Sequence, residues 1–263
     1  MPAIDLAQLR GEAFELAGSL ERPAAFQIAL RSLLERHSHR LLRRGFSLAD
    51  RGALPAWDVP GILIREVEAA ILPAGRKNPA AALQAAAAVW AAGRMEEKQL
   101  AAFLLGLAGD PAEIRAHLLD WLGETEDPSV LQSLADHACP PLRRADPVLF
   151  RSDLRGWITH PAPAQRRFGW LALKAWTEQR SSDAVFSAFE LLPLIFAEID
   201  SEALHTAAGL FTGLARTSPF ETQGWLSGLT PKAQRQSRKL IRLALPGLPA
   251  ETADFIRDMR RIE

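Results

Sequence analysis

The 263-residue sequence predicts an all-α chain of stacked antiparallel helical hairpins, on three observations. Apolar residues recur at the roughly 3.6-residue helical period, no run alternates as a strand does, and capping residues stand directly before prolines along the chain. Residues 3–20 carry Ile4, Leu6, Leu9, Phe14 and Leu16 at that period, and 23–43 carry Phe26, Ile28, Leu30, Leu33, Leu34, Leu41 and Leu42. A turn-rich stretch follows at 45–60. Further helices are expected at 61–73, 79–93, 96–108, 111–123, 128–138, 147–158, 163–178, 182–197, 201–216, 219–228, 231–245 and 249–261. Asn78-Pro79, Asp110-Pro111, Asp127-Pro128, Asp146-Pro147, Ser218-Pro219 and Thr230-Pro231 each suit an N-cap followed by proline in the first helical turn. Paired helices recur at roughly 35 to 40 residues, near the period of HEAT-like repeats. The expected architecture is one continuous α-solenoid over 1–263, each hairpin burying its apolar stripe against its neighbours.

Composition excludes several classes. With 48% hydrophobic and 24% charged residues the chain reads as soluble and globular, and its 31 basic and 31 acidic residues cancel. A nucleic-acid partner would therefore have to be held by a local basic patch. The one cysteine, Cys139, rules out a disulfide framework within the chain and a multi-thiolate metal site, and fits a reducing, cytoplasmic location. Standing before Pro140-Pro141, it reads as a small buried residue. No basic region followed by an apolar stretch opens the chain, and no run of about 18 apolar residues occurs, so neither a signal peptide nor a membrane span is expected. His37 and His39 diverge on one helix, while His117, His137, His160 and His205 are isolated. With no HExxH, P-loop, GxGxxG, GxSxG or CxxC, no metal and no cofactor are expected. Trp90, Trp170 and Trp176 read as core, whereas Trp121 and Trp157 lie near helix ends, where an indole has a route to a groove.

The clearest electrostatic signal is at 231–245, where Lys232, Arg235, Arg238, Lys239 and Arg242 occur with no acidic residue. At 100° per residue the five fall within a sector of about 120°, away from Leu240, Ile241 and Ala244. Such a stripe suits a phosphate backbone or, more plainly, a solvated helix face. Arg143-Arg144 and Arg166-Arg167, read as at or near helix starts, are candidates to join that surface.

The middle of the chain resembles a known family. Leu83-Gln84-Ala85-Ala86-Ala87 is followed by the 96–107 helix, then Pro147-Val148-Leu149-Phe150, Gly156-Trp157-Ile158-Thr159-His160-Pro161 and Gln165-Arg166-Arg167-Phe168-Gly169-Trp170-Leu171. Ala207-Ala208-Gly209-Leu210, Arg216-Thr217-Ser218-Pro219 and Leu229-Thr230-Pro231-Lys232 continue the order. In order and spacing these blocks resemble the AlkD-type DNA alkylation repair family, DNA glycosylases built from HEAT-like repeats, over about 78–245. Residues 1–77 would then be divergent N-terminal helices and 246–263 a C-terminal helix. The resemblance implies a concave cleft in which a tryptophan, an aspartate and an arginine face a cationic N3- or N7-alkylated purine nucleotide. The carboxylate would stabilise the oxocarbenium-like sugar, and the arginine would hold a phosphate.

At the family's spacing the aspartate position falls on Gln132 and the tryptophan position on Pro128, while the arginine position falls on Arg167 and is retained. Gln132 hydrogen-bonds but carries no charge to stabilise a cation. Asp136 lies one turn on, and Asp127, Asp120 and Glu124 offer other carboxylates, each also suited to a surface or capping role. The family's Ser-Asp-Asn turn reads here as His160-Pro161-Ala162.

Three functions fit these residues. The first is a double-stranded DNA-binding HEAT-like repeat protein of the family, gripping phosphates on the concave face through Arg166, Arg167 and the 231–245 stripe, its glycosylase activity weakened or lost. The second is an active DNA-3-methyladenine/7-methylguanine glycosylase using a displaced carboxylate, with Asp127 and Asp136 the catalytic candidates. The third is a scaffold for a protein partner that keeps only the fold.

Overall fold

The computed structural model describes residues 5–38, 54–179, 181–196 and 201–261. The fold is all-α, with no strand among the described residues, and it divides into two compact units, Met1–Ala145 and Asp146–Glu263.

In the first unit the helices are α1 (Leu6–Gly18), α2 (Pro23–Arg36), α3 (Gly61–Lys77), α4 (Pro79–Trp90), α5 (Met95–Leu105), α6 (Pro111–Glu124), α7 (Pro128–His137) and α8 (Cys139–Ala145). One layer runs α1 on α3, α3 on α5 and α5 on α7; a second pairs α2 with α4 and α6 with α8. The layers join where α4 lies along α5. The alanine-rich stretch explains that pairing: Ala81, Ala82, Ala85 and Ala86 are buried, and methyl side chains let helix axes approach closely. Leu63, Val67 and Ile71 of α3 are fully buried on one stripe, each contributing about 1.5–3 kcal/mol from removal of apolar surface from water.

The second unit contains α9 (Pro147–Ile158), α10 (Pro163–Thr177), α11 (Ser182–Leu191), α12 (Ser201–Thr217), α13 (Pro219–Ser227), α14 (Pro231–Ala244) and α15 (Ala250–Arg261), with 3-10 turns at Leu192–Phe196 and Leu245–Gly247. Here α9 packs on α10, α10 on α12 and α12 on α14, while α11 lies against α10 and α13 against α12 and α15.

The helix starts follow the capping reading closely. Asn78, Asp110, Asp127, Asp146 and Thr230 accept hydrogen bonds from first-turn amides, each with proline just inside the helix. Ser218 departs from this: its side chain makes no cap bond, and its carbonyl instead accepts from both the Thr222 amide and the Thr222 hydroxyl.

Other departures have physical reasons. The helix expected at 61–73 runs on to Lys77 through Pro73, because the carbonyl that proline leaves unbonded belongs to exposed Ala69 and can meet water. Cys139-Pro140-Pro141, outside the expected helices, opens α8, since prolines fit a first helical turn. That places Arg143 and Arg144 in the last turn of α8 rather than at a helix start, where cations complement the helix dipole. Pro193 turns the end of the expected 182–197 helix into a 3-10 segment. The helix expected over 23–43 ends at Arg36; Leu41, Leu42 and His39 lie outside the described residues, as does 45–53 of the turn-rich stretch. Its remainder, 54–60, is irregular because a carboxylate replaces backbone partners: the amides of Trp57, Asp58 and Val59 donate to buried Glu96 at 2.8, 2.7 and 3.4 Å.

Among the described residues no helix is long and apolar enough to cross a membrane, and no group of three or more His, Cys, Asp or Glu side chains is placed to hold a metal ion.

Candidate nucleic-acid interface

Helix α14 is the most strongly two-faced element of the second unit. Thr230 caps it through the Ala233 amide at 3.3 Å, and Pro231 fixes its first turn. Ser237, Leu240, Ile241 and Ala244 are buried. They share a sector centred roughly 170° from the five cations. Lys232, Arg235, Arg238, Lys239 and Arg242 are all exposed. Lys232, Arg235, Lys239 and Arg242 make no ion pair among the described residues, so four positive charges stand on one face without local neutralisation.

Arg166 and Arg167 are the fourth and fifth residues of α10 in the same unit. Arg166 folds back onto the preceding turn, where its Nη1 donates to the carbonyls of His160 at 2.9 Å and Pro161 at 2.6 Å, and His160 Nδ1 accepts from the Ala162 amide at 3.1 Å. The His160-Pro161-Ala162 turn is thus braced by the arginine that follows it. Arg167 is half-buried. Its helix is held on α9 by a chain of edge-on rings, Trp157 to Phe168 at 4.9 Å, Phe150 to Trp157 at 6.1 Å and Phe150 to Trp176 at 5.6 Å. Gly169 permits the approach, since a Cβ there would lie 2.8 Å from the Ile158 amide nitrogen. Trp157, expected to have a route to a groove, is buried as part of this cluster.

The residues at the family's other two positions lie in the first unit, on α7. Pro128 is its first residue. Asp127 is its N-cap: Oδ1 accepts from the Ser129 and Val130 amides at 2.9 and 3.3 Å, and the side chain is almost fully buried, with Oδ2 lacking a hydrogen-bond partner. Gln132 donates through Nε2 to Asp136 Oδ1 at 2.8 Å, so the neutral amide presents a carboxylate one turn further along an exposed stretch. Asp120 is exposed, whereas Glu124 accepts from Trp90 Nε1 at 2.6 Å. Trp121 is buried and stacked on Trp90 with centroids 4.2 Å apart and planes 4° from parallel, and Lys98 lies 4.0 Å over the Trp90 ring. Burial depresses the Lys98 ammonium pKa, which Glu124 partly offsets.

Sequence reasoning does not find Glu68. This α3 residue places Oε1 3.7 Å from His137 Nε2. Burial raises its carboxyl pKa, Arg65 opposes the shift and Asp136 adds to it. Burial also lowers the His137 pKa. Burial thus disfavours the charged form of each partner, which weakens the contact as an ion pair. Glu68 and His137 are 69 positions apart, and only the packing of α3, α5 and α7 brings them together. A raised carboxyl pKa means that the folded chain binds the Glu68 proton more tightly, so its contribution to stability is full below about pH 4.5 and is lost as pH rises through the folded value. Glu68→Gln is therefore expected to raise the thermal midpoint at pH 7.5 relative to the parent, with the difference shrinking towards pH 4.5. A difference that is constant with pH would count against this assignment.

These features define an all-α protein built from paired helix layers, with a cationic helix in one unit and a glutamine–carboxylate pair in the other. The family model described as DNA alkylation repair enzyme matches residues 59–195, more than half of the chain. The chain belongs to this family. No curated protein and no solved structure matches it. The matched region begins earlier than the residues that carry the resemblance in sequence and takes in α3 with Glu68; α12, α13 and α14 lie beyond its end.

Proposed function

We propose that the chain is a duplex DNA-binding member of the DNA alkylation repair family whose glycosylase chemistry is weakened. The observation that carries the reading is α14: five exposed cations in one sector, no acid in the helix, and an apolar stripe buried opposite that fixes which way they face. Each phosphate neutralised by such a side chain releases condensed counterions, so binding follows salt rather than sequence. Arg167, at the family's arginine position, is a further phosphate contact, and Arg166 serves chiefly by bracing its turn. The weakening follows from Gln132, because a neutral amide at the family's carboxylate position does little for a cationic sugar.

One observation favours a second reading, an active alkylpurine glycosylase. Gln132 holds Asp136 at 2.8 Å, which supplies a carboxylate about one turn from the family position. Asp127 is less suited to that role, since its carboxylate caps α7 and is shut away from solvent.

Titration of a fluorescent duplex of about 20 base pairs across 50–200 mM salt tests the binding. The five α14 contacts alone contribute a slope of about −4.5 in log affinity against log salt, which is at least about a 500-fold loss over that range. Absence of binding at 50 mM salt would overturn the proposal. On methylated duplex, release of N7-methylguanine or N3-methyladenine is expected to be slow, and Gln132→Asp is expected to raise it. Fast release by the parent that Asp136→Asn abolishes would establish the second reading instead.

A further inference from the structure

The second unit carries an apolar groove that the DNA reading does not use. A cavity of about 670 Å³ lies between α11 and α13, walled by Val185, Phe186, Phe189 and Trp225, with the carboxylates of Glu190 and Glu221 at its edge. Its wall is built rather than incidental: Trp225 Nε1 donates to the Phe189 carbonyl at 3.2 Å, and the indole packs against Phe189 and Phe211 with centroids 5.9 and 5.8 Å away. Part of the wall is open to solvent: Phe186 is 66% exposed although it lines the cavity. A phenylalanine so exposed at the rim of an apolar groove marks a surface that another molecule covers.

Charge narrows the choice of occupant. Helices α11 and α13 contain Asp183, Glu190 and Glu221 and no lysine or arginine. Arg155 pairs with Glu190 at 2.6 Å and offsets one of these charges, while Glu221 makes no ion pair among the described residues. An acidic edge repels nucleic acid and anionic membrane surfaces alike, and so excludes the partner that suits α14.

We propose that the α11–α13 groove is a docking site for a segment of another protein that carries apolar anchors flanked by lysine or arginine. The anchors seat between Phe186, Phe189 and Trp225, and the flanking cation meets Glu221; the mode is that of an amphipathic helix laid in a groove. Because the groove is lined by α11 and α13 whereas the cations belong to α14, DNA and the protein segment use different helices, and the two proposals stand or fall separately.

The test is selection of displayed random 16-residue peptides on the full chain, with counter-selection on the Phe186→Asp variant. The expected survivors combine two or more apolar anchors with net positive charge. As free peptides they should bind at least tenfold more weakly to Phe186→Ala and to Glu221→Lys. Both positions are exposed, and unchanged helical circular dichroism of each variant, with unchanged duplex titration, confines the loss to the groove. Survivors without excess basic residues, or none at all, would overturn the proposal. So would saturable binding of benzyltrimethylammonium that both variants lose while no peptide binds, which would assign the groove to small cations.

Discussion

Replacing Arg235 and Lys239 together by glutamate is expected to reduce the affinity for duplex DNA at 50 mM salt by at least tenfold. The slope of log affinity against log salt should become shallower by about 1.8, because two phosphate contacts are lost and each contributes about −0.9. The loss should be equal for duplexes of unrelated sequence, since phosphate contacts carry no base information. Both side chains are exposed and lie opposite the buried stripe of Ser237, Leu240, Ile241 and Ala244, so the fold should survive the change. An unchanged slope would mean that the α14 face is merely solvated. The double replacement is preferable to a single one because a five-charge stripe can slide to keep most of its contacts.

Gly106→Ala is expected to produce the largest stability effect in the first unit. An added Cβ would stand 2.2 Å from the His137 carbonyl oxygen and 2.8 Å from its carbon. Both atoms are backbone, so no side chain can rotate away, and either α5 or α7 must shift. Overpacking of this kind costs about 3 kcal/mol, or roughly 10 °C in the thermal midpoint of a chain this long. Gly213→Ala is the matching control. Gly213 is exposed within α12, with open space where a Cβ would go, and alanine there should add about 0.5–1 kcal/mol by helix propensity. If both variants melted like the parent, the close approach of α5 and α7 would be wrong. The clash also bears on chemistry, because His137 ends the helix that carries Gln132 and Asp136.

What the sequence discloses depends on how far each signal must reach. Asp127-Pro128 and Asp146-Pro147 are legible because cap and proline act within one turn. The α14 stripe is legible because its basic and apolar sectors belong to a single helix, and a period is enough to separate them. Helix α8 is missed because its 7 residues are too few for an apolar period to register. The two tryptophans assigned to helix ends are in fact interior: Trp121 is covered by Trp90, and Trp157 by Phe150 and Phe168. Position within a helix does not reveal which neighbour lies across it. Glu68 is illegible for the same reason, since its role depends on His137 and Asp136 from α7, a helix distant in sequence within the same layer. Gln132 was visible as a lost charge, but the carboxylate it retains through Asp136 needed the rotamer of the amide.

Cys139, the chain's one thiol, is wholly buried at the start of α8. That makes it a built-in clock. A disulfide reagent such as dithiobis(nitrobenzoate) can reach the sulfur only when the α7–α8 corner opens, so the labelling rate measures how often that corner breathes, without any engineered probe. The second unit has no thiol, and the signal therefore belongs to the first unit alone. Bound duplex that slows labelling would reveal that occupancy is felt at α7, the helix of Gln132 and Asp136, and would give the rate at which that helix is released.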